Sequence, residues 1–302
     1  MKILVTGGSG FVGYYLCKKL ISDGHEVVFT YNTHKCDIEG ATSIKADLSS
    51  SSFSKSVGQS FDSVIHAAAL ANVDLCEREP RLAYLHNVKA TQNVINFARK
   101  SNAKFVYIST SFVFSGKKQI YTDNDEPNID EISNVYGKTK LQGEILVKNS
   151  GLDYIILRID QPYYWNQPWQ KENTVTRTLR KLKNNEPIYE VVDWYNCPTF
   201  LPSFCELVSK VLKTNIQGAF NAAGPDYINR FEWTKKVAEV FGYEKESIFP
   251  INSMTFNLLV TRPNTRLLSS AIYNKANVKH LGIEAALLKM KADYWGKNQT
   301  IL

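Results

Sequence analysis

The sequence predicts an α/β fold: a doubly wound parallel sheet joined to a smaller mixed α/β region. Three observations carry this. Short β-rich apolar runs alternate with longer helical patterns through the first 160 residues, which indicates parallel strands covered on both faces. A glycine-rich turn follows the first apolar run directly. Beyond Asp160 the chain becomes irregular and rich in aromatic residues, proline and amides, as in QPYYWNQPWQ.

Taken in order, KILVTG reads as the first strand, and a helix is expected from Gly10 to Asp23. EVVFTY, SIKADL and SVIHAAA read as the next three strands, followed by a helix over Ala83 to Lys100 and the strand FVYIST. A polar loop from Gly116 to Ser133 carries Asp123, Asp125, Glu126, Pro127 and Asn128, and a loop of that length inside a compact domain is usually functional or mobile. VYGKTKLQGEILVKNSG then reads as a helix ended by Gly151, and YIILRI as a further strand. Residues 1–160 form the expected nucleotide-binding domain and residues 161–302 mainly a substrate-binding region. EPIYEVVD and GAFNAAG look like strands and FEWTKKVAEVFG like an amphipathic helix, so the boundary is expected to be crossed more than once.

Composition narrows the function. With 302 residues, 44% of them hydrophobic, the chain supplies a full core. No stretch approaches the roughly 20 apolar residues of a spanning helix, and the amino terminus lacks the pattern of a secretory signal. Five scattered cysteines, never in a C-x-x-C pair, argue against a disulfide framework or a metal site and suit a reducing cytoplasm. The net charge of +7 favours anionic ligands such as nucleotides. It is not gathered into a basic stripe with interleaved aromatics, so nucleic acid is not expected as a partner.

TGGSGFVG, residues 6–13, closes the first strand and opens the first helix. Glycines at Gly7, Gly10 and Gly13 allow a tight turn, close approach of backbone to a pyrophosphate, and a helix N-terminus facing the anion. Strand, turn and helix together mark a Rossmann-type dinucleotide site. An acidic residue at the end of the second strand usually marks NAD, and a basic one accommodates the 2′-phosphate of NADP. This chain offers Asn32, Thr33, His34 and Lys35 there, so NADP is the expected cofactor, with NAD the alternative and His34 or Lys35 near the phosphate. Asp47 and Leu48 follow the third strand, where they would border the adenine, and Ala67, Ala68 and Ala69 follow the fourth, where small side chains admit a ligand.

In NVYGKTKLQGE, Tyr136 and Lys140 lie four apart at the start of a helix and share a face. A tyrosine, with an ordinary pKa near ~10, becomes a usable proton donor or acceptor at neutral pH when a nearby ammonium favours its phenolate.

Together these residues resemble the extended short-chain dehydrogenase/reductase family, through TGGSGFVG, Asp47-Leu48, HAAA at 66–69, Asn87, IST at 108–110 and Tyr136-x-x-x-Lys140. Within it the chain is most similar to the dTDP-4-dehydrorhamnose reductase branch, through VDLCEREPRLAYLHNV, ISTSFVFSG, NVYGKTKLQGE, LRI, CPTF and RPNTRLLSSAI. The resemblance implies cofactor contacts from Gly7, Ser9, Gly10, Phe11, Val12, Gly13 and Asn87. It also implies that Tyr136 protonates a carbonyl oxygen, that Lys140 binds the nicotinamide ribose and tunes the tyrosine, and that Thr110 hydrogen-bonds the same oxygen.

The departures bear on substrate. Where the branch usually has Thr-Asp-Tyr, this chain has Thr110-Ser111-Phe112, so an acidic and a phenolic group are missing. The usual Ser-Trp after the arginine strand is here Asp160-Gln161. A sugar dehydratase needs an Asp-Glu pair after the threonine, which Ser111 and Phe112 do not supply. Ser111, Phe112, Trp165 and Arg262 are the candidate substrate residues. The resemblance implies an NADP-dependent reductase of a nucleotide-activated 4-keto-deoxysugar. It leaves open a nucleotide-sugar epimerase, or a non-catalytic regulatory subunit like that of methionine adenosyltransferase, and pairing as a homodimer through helices beside the sheet.

Overall fold

A computed structural model describes residues 1–295 apart from Gln59 and Asn257, with the side chain of Trp295 also left out. Its strands are β1 (Lys2–Thr6), β2 (Glu26–Tyr31), β3 (Ala41–Lys45), β4 (Ser63–His66), β5 (Lys104–Thr110), β6 (Tyr154–Ile159), β7 (Ile188–Val191), β8 (Tyr195–Asn196), β9 (Gly218–Asn221), β10 (Ile228–Asn229) and β11 (Ile248–Ile251). The α-helices are α1 (Phe11–Ser22), α2 (Phe53–Val57), α3 (Val73–Arg78), α4 (Pro80–Tyr84), α5 (Ala90–Arg99), α6 (Val135–Lys148), α7 (Thr174–Lys183), α8 (Leu201–Val211), α9 (Arg230–Phe241), α10 (Ser270–Lys275) and α11 (Ile283–Trp295).

Seven strands form one parallel sheet in the order β3-β2-β1-β4-β5-β6-β9. The order reverses between β1 and β4, and a crevice at the carboxyl ends of strands on either side of such a reversal is where nucleotides bind in this architecture. Successive side chains of a strand point to opposite faces. Ile3 and Val5 accordingly join one buried cluster with Leu16 and Leu20 of α1 and Phe204 and Val208 of α8. Leu4 joins the other, with Val94 and Ile95 of α5 and Val147 of α6. Burial on both faces is why the strands read as unbroken apolar runs rather than alternating ones.

The helix expected over Ala83 to Lys100 is longer and irregular. It begins at Pro80, whose missing N–H costs nothing in a first turn, and passes through a π-helical turn at Leu85–Lys89 before α5. That turn carries the buried Asn87. The polar loop from Gly116 to Ser133 is anchored at Tyr121, which bridges to Leu267, and contains a 3₁₀ turn at Ile129–Glu131.

After Asp160 the chain divides its work. β7 pairs with β11 and β8 with β10 in two small sheets, with α9 packed against β7 and β11. α8 packs on α1, and β9 rejoins the main sheet beside β6, so GAFNAAG belongs to the nucleotide-binding layer. Among the described residues, no helix is long and apolar enough to cross a membrane. All five cysteines are buried and free.

Candidate active site

The glycine turn forms a cradle at the carboxyl end of β1. Gly7 has φ +69°, and a Cβ there would sit 2.8 Å from the Ala68 Cα, so a side chain would fill the space and strain the backbone. Thr6 Oγ1 holds the opposite wall by accepting a 3.3 Å hydrogen bond from the Ala68 N–H. The result is a cavity of about 370 Å³, lined by Gly7, Ser9, Gly10, Asp47, Leu48, Ala67, Ala68 and Ala69 among others. Of the predicted cofactor residues, Gly7, Ser9, Gly10, Asp47, Leu48, Ala67, Ala68 and Ala69 line it, and Phe11, Val12, Gly13, Asn87, Tyr136 and Lys140 lie outside the lining. Phe11 and Val12 begin α1 and pack partly buried against the core, and Gly13 is buried within the helix. Asp47 accepts from Ser49 Oγ at 2.7 Å and from the Ser49 N–H at 2.9 Å, which holds its carboxyl below the ordinary value, with His86 adding to the effect.

His34 and Lys35 are exposed and lie beyond the lining, which at this end of β2 is made by Tyr31, Asn32 and Thr33. Strand β2 ends at Tyr31, so the two residues that reach the cleft come directly after it. Asn87 has its amide committed elsewhere. Its Oδ1 accepts from the Leu70 N–H at 2.8 Å, and its Nδ2 donates to the Leu70 carbonyl at 3.2 Å and to Thr139 Oγ1 at 3.1 Å. It therefore clamps the Ala67–Leu70 wall to α6. His86 also lines the cleft; nothing in a helical pattern marks which residue will face a ligand.

The second group of residues sits where β5 ends. Thr110 caps the 3₁₀ turn Ser111–Val113, its Oγ1 accepting from the Phe112 N–H at 3.3 Å. α6 begins beside it, capped by Asn134, whose Oδ1 accepts from the Gly137 N–H at 2.7 Å. Gly137 permits the approach, since a Cβ there would stand 2.1 Å from the Phe112 carbonyl oxygen. This contact brings Tyr136 onto the Phe112 ring edge, with centroids 5.7 Å apart.

Tyr136 is half-buried as a residue. Burial of its hydroxyl end pushes the phenol up to about 12, while the Thr110 hydroxyl beside it pulls down and Cys76 and Asp160 push up. This corrects the expectation that the neighbouring ammonium favours a phenolate. The Lys140 Nζ turns away to donate to the Ile108 carbonyl at 2.8 Å and lies 4.0 Å from the Tyr107 ring centroid. Burial also brings Lys140 down to about 7, with Glu144 pulling the other way. At neutral pH the tyrosine is thus a protonated acid.

Behind this group, Glu144 of α6 accepts from Arg158 Nε at 3.0 Å, from Arg158 Nη2 at 2.8 Å and from Ser109 Oγ at 2.6 Å, all buried. Arg158 is therefore an internal tie between α6, β5 and β6. A buried carboxylate follows directly after the neighbouring strand β6. Thr110 and Ile159 are register partners and the last residues of β5 and β6, and Ser111 and Asp160 follow them directly. Asp160 is buried and its Oδ2 accepts from the Cys197 N–H at 2.8 Å. Desolvation pushes its carboxyl up to about 6, against the pull of the Cys197 N–H, Ser111, Asn196 and Arg230.

Of the other substrate candidates, Arg262 pairs with Asp74 at 2.7 Å and borders a separate cleft of about 540 Å³ with Arg177, Glu190, Trp194 and Arg230. Trp165 lies elsewhere. Its indole N–H donates to the Met290 carbonyl at 2.9 Å and its ring meets Phe241 and Tyr294, so it packs on the carboxy-terminal helix rather than beside Tyr136. In the same segment Trp169 donates to the Ser9 carbonyl at 3.0 Å, tying the aromatic stretch to the glycine turn.

A parallel sheet with a glycine cradle at its switch point and a Tyr-x-x-x-Lys helix beside a threonine defines an extended short-chain dehydrogenase/reductase fold. The chain belongs to the RmlD substrate binding domain family, whose sequence pattern matches residues 1–293. It is 26% identical to the dTDP-4-dehydrorhamnose reductase of Mycolicibacterium smegmatis, over 89% of this chain and 78% of that one. It is 27% identical to the methionine adenosyltransferase 2 subunit beta of Rattus norvegicus, over 83% of this chain and 75% of that one. Among solved structures it resembles the dTDP-4-dehydrorhamnose reductase of Bacillus anthracis in complex with NADP, with TM-score 0.82, 24% identity and coverage of 97% of this chain and 98% of that one.

Proposed function

We propose that the protein is an NADP-dependent reductase of the 4-keto group of a nucleotide-activated deoxysugar, of the dTDP-4-dehydrorhamnose reductase kind. The observation that carries this reading is the Tyr136 phenol in hydrogen-bond reach of the Thr110 hydroxyl, in a chain whose glycine turn walls a cavity at the switch point of the sheet. NADPH, when bound, supplies a hydride to the carbonyl carbon. Tyr136 gives its proton to the carbonyl oxygen, and the Thr110 hydroxyl, which hydrogen-bonds Tyr136 and accepts from the Phe112 N–H, turns to donate to the same atom. Lys140 keeps two N–H donors for ribose hydroxyls after bonding Ile108. Arg177, Arg230 and Arg262 give the larger cleft the positive side chains that suit a diphosphate. Cofactor preference for NADP is supported by the Bacillus anthracis complex and by the absence of an acidic residue among Asn32, Thr33, His34 and Lys35.

The reading includes cytoplasmic action, a division of labour near residue 160 and a homodimer. The last is supported by exposed Tyr84, Leu85 and Ile145 on the neighbouring α4–α5 segment and α6. A panel of dTDP- and UDP-4-keto sugars with NADPH and NADH, following nicotinamide oxidation and product identity together, is the test. Net NADPH consumption with a reduced sugar is expected. Tightly held NAD with no net consumption would point to an epimerase. Co-purification with a synthetase and no turnover would point to a regulatory subunit like the rat relative.

A further inference from the structure

The segment that follows β6 reaches back across the glycine turn. Trp169 Nε1 donates to the Ser9 carbonyl at 3.0 Å, and Gln170 Nε2 donates to the same oxygen at 3.4 Å. The segment is itself well fixed. Tyr15 of α1 donates its hydroxyl to the Trp165 carbonyl at 2.6 Å, and the Tyr14 and Trp169 rings meet edge to face with centroids 5.9 Å apart. A tight turn completes it, in which the Gln170 N–H donates to the Gln167 carbonyl at 2.9 Å and Gln170 Oε1 accepts from the Gln167 N–H at 3.0 Å.

Ser9 and Gly10 line the cofactor cavity, whereas Trp169 and Gln170 lie outside its lining. The peptide joining Ser9 to Gly10 is held at both ends: its N–H donates to the Gly7 carbonyl at 3.0 Å, and its carbonyl oxygen accepts from Trp169 and Gln170. Glycine leaves an adjoining peptide unit free to rotate, and a flip of this one would turn a carbonyl oxygen into the glycine turn in place of an N–H. Gly10 begins α1 without a capping side chain, and the first turn of the helix carries no acidic residue. The N–H groups of that turn therefore stay open to an anion. A carbonyl oxygen turned toward them would repel it.

We propose that Trp169, assisted by Gln170, is a cofactor-positioning residue: it locks the Ser9–Gly10 peptide so that the glycine turn meets the pyrophosphate of a dinucleotide already shaped for it. The lock rests on the dinucleotide part of the proposed function and is independent of which sugar is reduced. It acts through Ser9, so its benefit goes to ligands that carry a pyrophosphate. A mononucleotide confined to the adenosine end of the cavity gains nothing from a turn ordered in advance.

The test compares wild-type protein with Trp169→Phe and Gln170→Ala, with no sugar present. Calorimetry measures affinity for NADP, and ligand-observed NMR measures affinity for 2′-AMP, which keeps the adenosine and its 2′-phosphate and lacks the pyrophosphate. Trp169→Phe removes the donor and keeps an aromatic ring beside Tyr14. NADP affinity should then fall about fivefold or more, while 2′-AMP affinity stays within about twofold of wild type. Gln170→Ala, which removes the longer bond, should move the ratio of the two affinities the same way by less. General damage to the fold weakens both ligands, so a parallel loss of NADP and 2′-AMP would overturn the lock. If the wild type binds NADP and Trp169→Phe binds it equally well, the lock alone fails; if the wild type binds neither NADP nor NAD, the dinucleotide reading fails with it.

Discussion

At the scale of single residues, the site depends on burial setting protonation states. Tyr136 and Lys140 are displaced in opposite directions by the same cause, since burial penalises whichever form is charged. Substituting Tyr136→Phe removes the proton donor and keeps the ring against Phe112. Turnover should fall by about 10²–10⁴ with NADP affinity unchanged, and steady-state rates with a cofactor fluorescence titration check both halves. His66 behaves as a structural counterpart. Its Nδ1 meets Thr6 Oγ1 at 2.7 Å and its Nε2 meets Thr91 Oγ1 at 3.0 Å, a buried chain that keeps the wall of the cofactor cavity in place. Burial first, and the Lys140 charge second, bring its pKa from 6.5 to about 3. The native state therefore refuses a proton that the unfolded chain accepts between those values. Stability from this group is full above about pH 6.5 and is lost as pH falls toward 3. Relative to His66→Asn, the wild type should lose about 2 kcal/mol more between pH 7 and pH 5. Urea denaturation at the two pH values measures it, and equal losses would refute the assignment.

At the scale of elements, α6 is held at three levels. Asn134 caps its first turn, Thr139 Oγ1 returns to the Tyr136 carbonyl at 2.9 Å and accepts from Asn87, and Glu144 is locked to Arg158 and Ser109 one turn further on. A cap of this kind contributes about 1 kcal/mol. Asn134→Ala should cost that amount in chemical denaturation. Its rate loss should exceed what the lost stability explains, because the cap also sets where Tyr136 enters the site. A variant destabilised as expected with full activity would show that the tyrosine is placed by packing alone. The π-helical turn before α5 plays a similar part, turning Asn87 inward so that one side chain bonds both backbone groups of Leu70.

At the scale of the whole molecule, the exposed apolar residues on α4–α5 and α6 bear on assembly. If the proposed dimer forms there, Ile145→Lys should give a monomer in sedimentation while the wild type sediments as a dimer; a wild-type monomer would remove that surface from consideration. The same scale separates two kinds of information. TGGSGFVG, the apolar strands and the Tyr136-Lys140 spacing are local patterns whose physical demands are met within a few residues, so the parallel sheet, the glycine cradle and the shared helix of Tyr136 and Lys140 were all legible in the sequence. Contacts made across the fold were not. His34 and Lys35 miss the cleft because β2 stops at Tyr31, and Trp165 goes to the carboxy-terminal helix because Met290 and Tyr294 meet it there. Asp160 follows β6 level with Ser111 because β5 and β6 end in register. The sequence by itself determined the fold class and the glycine turn that walls the cavity, since periodicity and glycine placement act locally. Only the tertiary structure decided which side chains share the pocket and which protonation states they hold, because burial and cross-strand register arise between residues far apart in the chain.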